Sequence, residues 1–340
     1  MICSLFHNII VYQFPAEIRP VVEFPFFSQI ITGNFPVFLF ATATVLSAAW
    51  IISRIISGNL IKLHGKLKNI ETELAETRQK LLALESRTRD FTDSLVYAQR
   101  IQEALLPSES FLAEHFRDFF IFFRPKDIVS GDFYWFNASG DKICIISADC
   151  TGHGVPGALM SIIGQNLISQ VLNEGFSDNP AEMLSHLDKL VMNVFSKGEG
   201  DGDPFIKEGM DIGICMVDYQ RHRIEFSGAF TSLYLVSNGK LNVIAGDKQI
   251  LGIKKDGFSY SYRLAEFKEN DIIYFFTDGY ADQFGGPENK KFMYRRFRYL
   301  LTTINELPLK EQKDILQETF YSWKGDNEQV DDVMVISVRL

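Results

Sequence analysis

Residues 149–158 read Asp-Cys-Thr-Gly-His-Gly-Val-Pro-Gly-Ala and join an apolar run to a helix-like one. The run before them, 143–148, predicts a buried strand, and residues 157–173 predict a helix. Asp149 therefore stands where a strand ends and a loop leads into a helix. This corner is one of four at which an acidic residue abuts an apolar strand.

The other three acidic corners are Gly131-Asp132, Thr277-Asp278-Gly279 and Asp331-Asp332. Four such corners can converge at one edge of a sheet. Clustered carboxylates repel one another and are costly near a core unless cations neutralise them. A site made only of oxygen ligands selects magnesium or manganese over zinc. Aspartates are also common in turns at strand ends, so spacing alone leaves a plain turn role open.

Residues 107–340 alternate strand-like and helix-like runs, and the Asn238-Gly239 turn predicts an antiparallel hairpin. We therefore expect an α+β domain in which helices cover antiparallel sheet. The predicted strands are 119–124, 133–137, 143–148, 212–217, 223–226, 232–236, 272–276 and 333–338. The predicted helices are 157–173, 180–196, 292–304 and 310–323.

The composition of the 340 residues narrows the class of protein. Hydrophobic residues make up 46% and charged residues 23%, which is ordinary for a globular chain and excludes a multi-span membrane protein. The net charge of -9 offers no basic excess for nucleic acid, so we expect no nucleic-acid partner. Four cysteines form no disulfide framework, which suits a reducing cytosol.

The N-terminal piece is apolar and carries no charged residue from Phe24 to Ser53. It predicts a membrane-associated lead-in (1–34) followed by a single transmembrane helix (35–57), because about 20 apolar residues cross a bilayer core. Basic residues that follow the helix outnumber those before it, which predicts that the C-terminal part of the chain lies on the cytoplasmic side of the membrane. A buried core helix is the alternative.

Residues 58–106 follow a heptad pattern that predicts a coiled coil. Three facing charge pairs, Lys66–Glu71, Glu73–Arg78 and Lys80–Glu85, have attractive signs in a parallel homodimer. The alternative is one amphipathic helix packed on its own domain. The register slips after Leu95, and Pro107 ends the helix. The seam consists of Leu60, Leu63, Leu67, Ile70, Leu74, Thr77, Leu81, Leu84, Thr88, Phe91 and Leu95.

Four segments then resemble, in order, the motifs of the SpoIIE-type branch of the metal-dependent (PPM-type) serine/threonine protein phosphatases. They are 128–135 (IVSGDFYW), 149–158 (DCTGHGVPGA), 276–279 (FTDG) and 330–333 (VDDV). Residues 97–107 (YAQRIQEALLP) also resemble the helical linker that precedes this domain in the family. The resemblance covers 95–340. It implies two antiparallel β-sheets sandwiched between α-helices, with the phosphatase domain at 107–340, and two divalent cations, manganese or magnesium.

The resemblance also implies roles for individual residues. Asp132 and Asp149 match the central metal-binding aspartates, with Asp149 bridging both ions, and Asp278 matches the aspartate of the third motif. In the fourth motif we expect Asp331 to be the ligand, with Asp332 as the alternative, and the carbonyl of Cys150 is a further expected ligand. His153 is expected to act as a general acid or, alternatively, to cap the loop. Asp211 is expected to lie near the metals.

The implied protein is a membrane-anchored, dimeric phosphoprotein phosphatase of bacterial signalling, in which a metal-activated water attacks phosphorus. By analogy its substrate is a phosphoserine or phosphothreonine regulatory protein, such as an anti-sigma-factor antagonist. We expect the linker helix to couple dimer geometry to assembly of the metal site. A catalytically silent scaffold of the same fold is the alternative; it is disfavoured because all four acidic motifs are present. A purely structural coiled coil leaves those motifs unexplained.

Overall fold

The structure is a computed structural model that describes residues 35–152, 154–175, 178–195, 209–253 and 258–340. The chain divides into two compact units, Met1–Arg87 and Thr88–Leu340. The described part of the first unit is a single helix, α1 (Phe35–Leu105), whose C-terminal end belongs to the second unit. The predicted lead-in at 1–34 lies outside the described residues.

Helix α1 starts in the apolar stretch and continues through the heptad segment without a break. Hydroxyl groups in its apolar part are satisfied within the helix, since Thr42 and Thr44 each donate to the carbonyl four residues back at 3.0 Å. The heptad seam is bare on this single chain: Leu60 is 60% exposed and Leu74 is 66% exposed. An apolar seam of this kind is typical of a helix that packs against a partner helix.

Two described helices are long and apolar enough, by length and composition alone, to cross a membrane. One is the N-terminal helix, and the most apolar window of that helix has no buried residues. The other is α3 (Val155–Asn173), half of whose window is buried. The burial of α3 explains its apolar character as that of a core helix.

The second unit contains two five-stranded antiparallel sheets. Sheet I consists, in spatial order, of β1 (Phe119–Arg124), β12 (Val333–Arg339), β9 (Ile272–Phe276), β6 (Leu233–Ser237) and β7 (Lys240–Ile244). Sheet II consists of β2 (Phe133–Ser139), β3 (Lys142–Cys150), β4 (Met210–Asp218), β5 (Arg223–Ala229) and β8 (Arg263–Glu266). A short ribbon pairs β10 (Phe284–Gly285) with β11 (Lys290–Lys291).

The remaining helices are α2 (Glu109–His115), α4 (Pro180–Phe195), α5 (Gly279–Asp282), α6 (Met293–Ile304) and α7 (Leu309–Lys324). Successive strand residues point to opposite faces, which divides the core into layers. On β3, Ile143 and Ile145 pack between the two sheets, whereas Cys144 and Ile146 pack against α3 and α4. The outer face of sheet I is covered by α6 and α7. The expected sandwich of two antiparallel sheets between helices is therefore confirmed.

All eight predicted strands and all four predicted helices are present, with ends shifted by a few residues at most positions. The hairpin turn between β6 and β7 is also confirmed, because Asn238 and Gly239 have φ angles of 49° and 73°. Positive φ at both central residues is the geometry that matches the twist of a two-residue hairpin. Four strands were missed: β7 and β8, each at an edge of its sheet, and the two strands of the short ribbon, β10 and β11.

Candidate metal centre

Three aspartates meet at one end of sheet II. Asp149 is the second-to-last residue of β3, and it lies directly opposite Asp211 of β4 in the antiparallel register. Asp132 precedes β2, whose first residue, Phe133, pairs with Ala148. Facing residues of antiparallel strands have their side chains on the same face and close together. The register therefore brings the three carboxylates of Asp132, Asp149 and Asp211 to one edge.

Sheet I contributes a second group of aspartates at its own edge. Asp278 follows β9, and Asp331 and Asp332 precede β12, its neighbour in the sheet. The two strand ends are tied together by Thr277, whose N–H donates to the carbonyl of Met334 at 3.1 Å. Its hydroxyl oxygen accepts the N–H of the same residue at 3.0 Å. The third and fourth sequence motifs are thus neighbours across one ladder.

Hydrogen bonds join these two edges. The Thr277 hydroxyl donates to Oδ2 of Asp132 at 2.6 Å, from sheet I to sheet II. Asp332 receives the N–H of Gly131 on Oδ2 and the N–H of Lys126 on Oδ1, both at 2.7 Å. All of these bonds bring residues that are distant in sequence to one place. They hold Asp132 and Asp332, and with them the two strand edges that carry the aspartates, close together.

The motif glycines allow the loops to approach this closely. A Cβ on Gly157 would overlap the carbonyl oxygen of Gly152, and one on Gly279 would overlap the carbonyl oxygen of Asp332. Neither neighbour is the end of a flexible side chain, so the backbone itself would have to move. The Gly-containing motifs are therefore explained by close backbone packing around the cluster.

The carboxylates raise one another's pKa. Burial raises the pKa of Asp132 well above its usual value, and the nearby charges of Asp149, Asp332 and Asp331 raise it further. Burial also raises the pKa of Asp149, and the charges of four other aspartates raise it further. In decreasing order of effect they are Asp278, Asp331, Asp211 and Asp332. Like charges that lie near one another have this effect on pKa.

At the outer side of the cluster the pKa values of the carboxyl groups are raised by a smaller amount. Burial, followed by the charge of Asp331, raises the pKa of Asp278 to about 6. Burial, followed by the charge of Asp278, raises the pKa of Asp211 to about 6. Asp132 and Asp332 are buried, at 2% and 3% exposure, whereas the other four aspartates are partly exposed. The cluster is therefore open to solvent on the side of Asp149, Asp211, Asp278 and Asp331.

The carboxylates of this cluster are suitable ligands for magnesium or manganese, because these cations bind oxygen ligands and offset the repulsion between converging carboxylates. Within the described residues, no three His, Cys, Asp or Glu side chains are already arranged to hold an ion. The carboxylates are close enough to repel one another but are not gathered around one point. A cation would remove this repulsion and draw them together.

Asp331 and Asp332 differ in what their carboxylates do. Both oxygens of Asp332 accept backbone N–H groups of the loop 126–131. Asp331 is partly exposed, accepts the N–H of Asp332 on Oδ1 at 2.9 Å, and raises the pKa of Asp132, Asp149 and Asp278. The charges of both residues raise the pKa of Asp132 and Asp149, but of the two it is Asp331 that raises the pKa of Asp278, whereas both oxygens of Asp332 are held by the loop.

Of the remaining expected residues, Cys150 is buried at the end of β3, opposite Met210. Its carbonyl oxygen lies near the loop of the first motif, 3.3 Å from the position of a Cβ on Gly131. His153 lies outside the described residues. The sequence reading missed Thr277 as the bridge to Asp132, although it belongs to the quoted FTDG segment.

The sequence reading also missed Gln102, in the last turn of α1. Its side chain is 5% exposed, and its amide Nε2 donates to the hydroxyl oxygen of Ser161 on α3 at 2.7 Å. The same side chain bonds the backbone of Ser130, and the hydroxyl oxygen of Ser130 accepts the N–H of Asp132 at 3.0 Å. A hydrogen-bonded path therefore runs from the end of α1 to the loop that carries Asp132.

Comparison with solved structures supports this reading of the fold. The SiaA-PP2C domain of Pseudomonas aeruginosa is 32% identical, with a TM-score of 0.68, and the match covers 74% of this chain and 98% of that chain. The SpoIIE PP2C phosphatase domain with a fragment of its regulatory domain, from Bacillus subtilis, is 16% identical, with a TM-score of 0.52. That match covers 66% of this chain and 63% of that chain.

A third structure, of RsbU and RsbW domains from Mycobacterium tuberculosis, is 19% identical, with a TM-score of 0.52, covering 65% of this chain and 59% of that chain. None of the curated proteins compared with the sequence matches it. The family model described as stage II sporulation protein E (SpoIIE) matches residues 139–340, more than half of the chain. This match and the identity to the SiaA domain show that the chain belongs to the SpoIIE family and carries a PP2C-type phosphatase domain.

Proposed function

We propose that this protein is a metal-dependent serine/threonine phosphoprotein phosphatase. The observation that supports this most directly is the convergence of six aspartates from two sheets at one solvent-open edge, where burial and neighbouring carboxylates raise the pKa of four of them, Asp132, Asp149, Asp211 and Asp278. Two manganese or magnesium ions, when bound, would neutralise these charges and activate a water for attack on phosphorus. The chain's own part is to hold the ligands and to orient the phosphorylated residue.

The geometry supports a division of labour among the aspartates. The charges of aspartates from both sheets raise the pKa of Asp149, and Asp149 is our choice for the ligand shared by the two ions. Asp132, Asp278 and Asp331 supply the other carboxylates, and the Cys150 carbonyl is a further donor. We assign Asp332 to the loop, because its oxygens are already engaged by two backbone amides. Asp211, opposite Asp149 and coupled to Asp278, is placed to add charge at the outer side.

Thr277 orients Asp132 in this scheme. Its hydroxyl donates to one carboxylate oxygen and thereby lowers the pKa of Asp132, against the effect of burial. A ligand held in this way keeps its direction when an ion enters or leaves.

The test is hydrolysis of p-nitrophenyl phosphate by the full-length protein with increasing manganese. We expect activity in the wild type and a loss of at least about a hundredfold in Asp278→Asn, in the range seen when charge stabilisation of a transition state is removed. Asp314→Asn, a change of the same kind at an exposed aspartate of α7, serves as the matched control. Equal rates in the wild type and Asp278→Asn would refute the metal assignment, and no activity in any protein would favour the silent scaffold.

We further propose that α1 anchors the protein in the inner membrane through residues 35–57 and forms a parallel homodimer through residues 58–106. The unburied apolar window and the exposed heptad seam support these two proposals. The contacts of Gln102 support a coupling between the end of this helix and the metal-binding loop. The phosphoprotein substrate, an anti-sigma-factor antagonist or a similar regulator, rests on the family alone.

A further inference from the structure

Phe230 adopts a backbone conformation that is rare for a large side chain. Its φ angle is 55°, in the left-handed region, where glycine is unstrained and asparagine is tolerated but a bulky residue is an outlier. Elsewhere in the domain this region is occupied by asparagines, such as Asn238 and Asn270. The conformation costs phenylalanine free energy, so it persists only where the surrounding structure imposes it.

Backbone contacts around Phe230 impose this conformation. Its N–H donates to the carbonyl oxygen of Asp247 at 2.8 Å, and the N–H of Asp247 donates to the carbonyl oxygen of Gly228 at 2.7 Å. A Cβ on Gly228 or on Gly246 would overlap the carbonyl oxygen of Thr231, which follows Phe230. The turn is therefore held by hydrogen bonds and by close packing of its own backbone.

The Phe230 side chain contributes little to the core. It is 48% exposed, and it belongs to none of the buried apolar clusters of the described residues. Phe226, four positions earlier on β5, is by contrast fully buried between the two sheets. An asparagine or a glycine would form this turn with less strain. A strained, half-exposed aromatic residue therefore indicates a role other than stability.

The register of sheet II places Phe230 at the edge that carries the aspartates. Ala229, the last residue of β5, pairs with Ile212, the neighbour of Asp211, and Phe230 follows directly. Asp211 is partly exposed, on the side of the cluster that is open to solvent. Phe230 thus lies beside the open side of the candidate metal centre.

The register of sheet I leads to the same edge. Strand β6 pairs antiparallel with β9 through Tyr234 and Tyr274, so the start of β6 lies at the end of β9 that leads to Asp278. Residues 230–232 therefore cross from one aspartate-bearing edge to the other. A phosphorylated residue that enters the metal centre at Asp211 and Asp278 passes close to Phe230.

We propose that the ring of Phe230 packs against an apolar residue next to the phosphorylated serine or threonine of the substrate protein. This inference rests on the proposed phosphatase function. Metal ions recognise a phosphoryl group on any carrier, whereas an exposed ring beside them distinguishes an apolar flanking segment from a polar one. An extended chain rises about 3.3 Å per residue, so the nearest neighbours of the phosphorylated residue are those within reach. The imposed backbone conformation fixes the position of the ring before substrate binds.

The test uses two synthetic phosphoserine peptides that differ only in the two residues on each side of the phosphoserine, leucine in one and serine in the other. For the full-length wild type with manganese we expect kcat/KM to be about tenfold higher for the leucine peptide, in line with burial of part of an aromatic side chain. The difference should lie in KM rather than in kcat, because the ring contacts the flanking residues and not the phosphoryl group.

Phe230→Asn should remove this preference. Asparagine suits the left-handed backbone but lacks the ring, so the two peptides should become equal while the melting temperature stays the same or rises. Phe230→Leu keeps an apolar side chain and should keep part of the preference. Tyr299→Asn is the matched control and should keep all of it. Tyr299 is 74% exposed but lies beside the β6–β7 turn, at the end of sheet I away from Asp278.

The outcomes separate this inference from the proposed function. If Phe230→Asn lowers kcat for both peptides alike and raises the manganese requirement, Phe230 positions the metal ligands and does not select the substrate. If the wild type hydrolyses p-nitrophenyl phosphate but treats both peptides equally, the Phe230 proposal is wrong and the phosphatase proposal stands. If the wild type hydrolyses none of these substrates, the phosphatase proposal itself has failed, and this inference fails with it.

Discussion

The side-chain amide of Gln102 pairs with both backbone groups of Ser130. Its Nε2 donates to the Ser130 carbonyl oxygen at 2.6 Å, and its Oε1 accepts the Ser130 N–H at 3.0 Å. Gly131 and Asp132 follow directly, so the last turn of α1 is bonded to the segment that supplies a metal ligand. The pairing gives a physical route by which a movement of α1 could change the position of Asp132.

Replacement of Gln102 by alanine should weaken metal binding. The substitution leaves two buried backbone groups without a partner and frees the loop that carries Asp132. Loss of a residue that holds a ligand in place typically costs 10–100-fold in metal affinity, so we expect the manganese concentration for half-maximal activity to rise by about tenfold or more. Measuring activity at increasing manganese concentrations gives this half-maximal concentration.

Gln99→Ala is the matched control for Gln102, since among the described residues the Gln99 side chain bonds Glu103, on its own helix, at 2.9 Å and no other. An unchanged manganese requirement in Gln102→Ala would show that this contact does not position the loop. Equal losses in both variants would point to a general weakening of the helix.

Asp331 and Asp332 should respond differently to the same substitution. Asp332→Asn replaces one acceptor oxygen with an NH₂ group facing a backbone N–H, and we expect a loss of about 1–3 kcal/mol in stability of the metal-free protein. Asp331→Asn removes a repulsive charge, so the metal-free protein should be at least as stable while manganese activation is lost. Thermal unfolding with EDTA, together with activity, separates the two. The opposite pattern would make Asp332 the ligand.

The metal-free second unit (Thr88–Leu340) should lose stability as the pH rises through about 6. The pKa of Asp211 and that of Asp278 are each raised to about 6, above the ordinary value of 3.8 that applies to the unfolded chain. Between these two values the folded state holds more protons, so stability is full below about 4 and declines as pH rises through 6. The melting temperature in EDTA, measured between pH 4.5 and about 7.5, should show this decline in stability.

The same titration predicts the role of the metal. Saturating manganese should flatten the decline, because the cation replaces the protons that keep the cluster neutral. Asp278→Asn should also reduce the slope without metal. A melting temperature that rises with pH in EDTA would contradict the raised pKa of both aspartates.

Gly279→Ala should destabilise the domain, because the added Cβ would overlap the carbonyl oxygen of Asp332 and push the third and fourth motifs apart. We expect a cost of about 1–3 kcal/mol, with reduced manganese-dependent activity. Gly65→Ala is the control, since nothing lies within 4 Å of a Cβ there and alanine favours a helix. Thermal unfolding measures both, and equal melting temperatures would show that the loop can yield.

The heptad seam of α1 should be sensitive to charge, whereas the adjacent face should not. Leu74→Lys places a cation in the seam of the proposed dimer and should shift the detergent-solubilised protein to monomer. Leu82→Lys changes the same residue type at an exposed position outside the seam and should leave the dimer intact. Light scattering coupled to size-exclusion chromatography gives the mass. A monomeric wild type would refute the dimer.

The strands that the sequence pattern predicted are those with a buried face. The residues of β9 are all buried and were predicted to the exact bounds, whereas β7 and β8 were missed. Both lie at sheet edges, and most of their side chains are exposed. Edge strands need little apolar surface, so their sequences resemble those of loops.

The candidate site was predictable as far as its motifs were local. Asp132, Asp149, Asp278 and the pair at 331–332 each follow or precede an apolar run, and this pattern is readable along the chain. The hydrogen bond from Thr277 to Asp132 was not predictable from the sequence, because the two residues are 145 positions apart. The contact of Gln102 with Ser130 likewise joins residues of different elements.

The amino-acid sequence by itself determined where strands and helices form and which acidic residues stand at their ends, because burial periodicity and turn chemistry act between near neighbours. Only the tertiary structure decided how those aspartates divide their work. Stacking of two sheets placed both oxygens of Asp332 against backbone amides and left Asp331 partly exposed, where its charge raises the pKa of Asp278. Adjacent residues with identical side chains differ here because their hydrogen-bond partners come from distant parts of the chain.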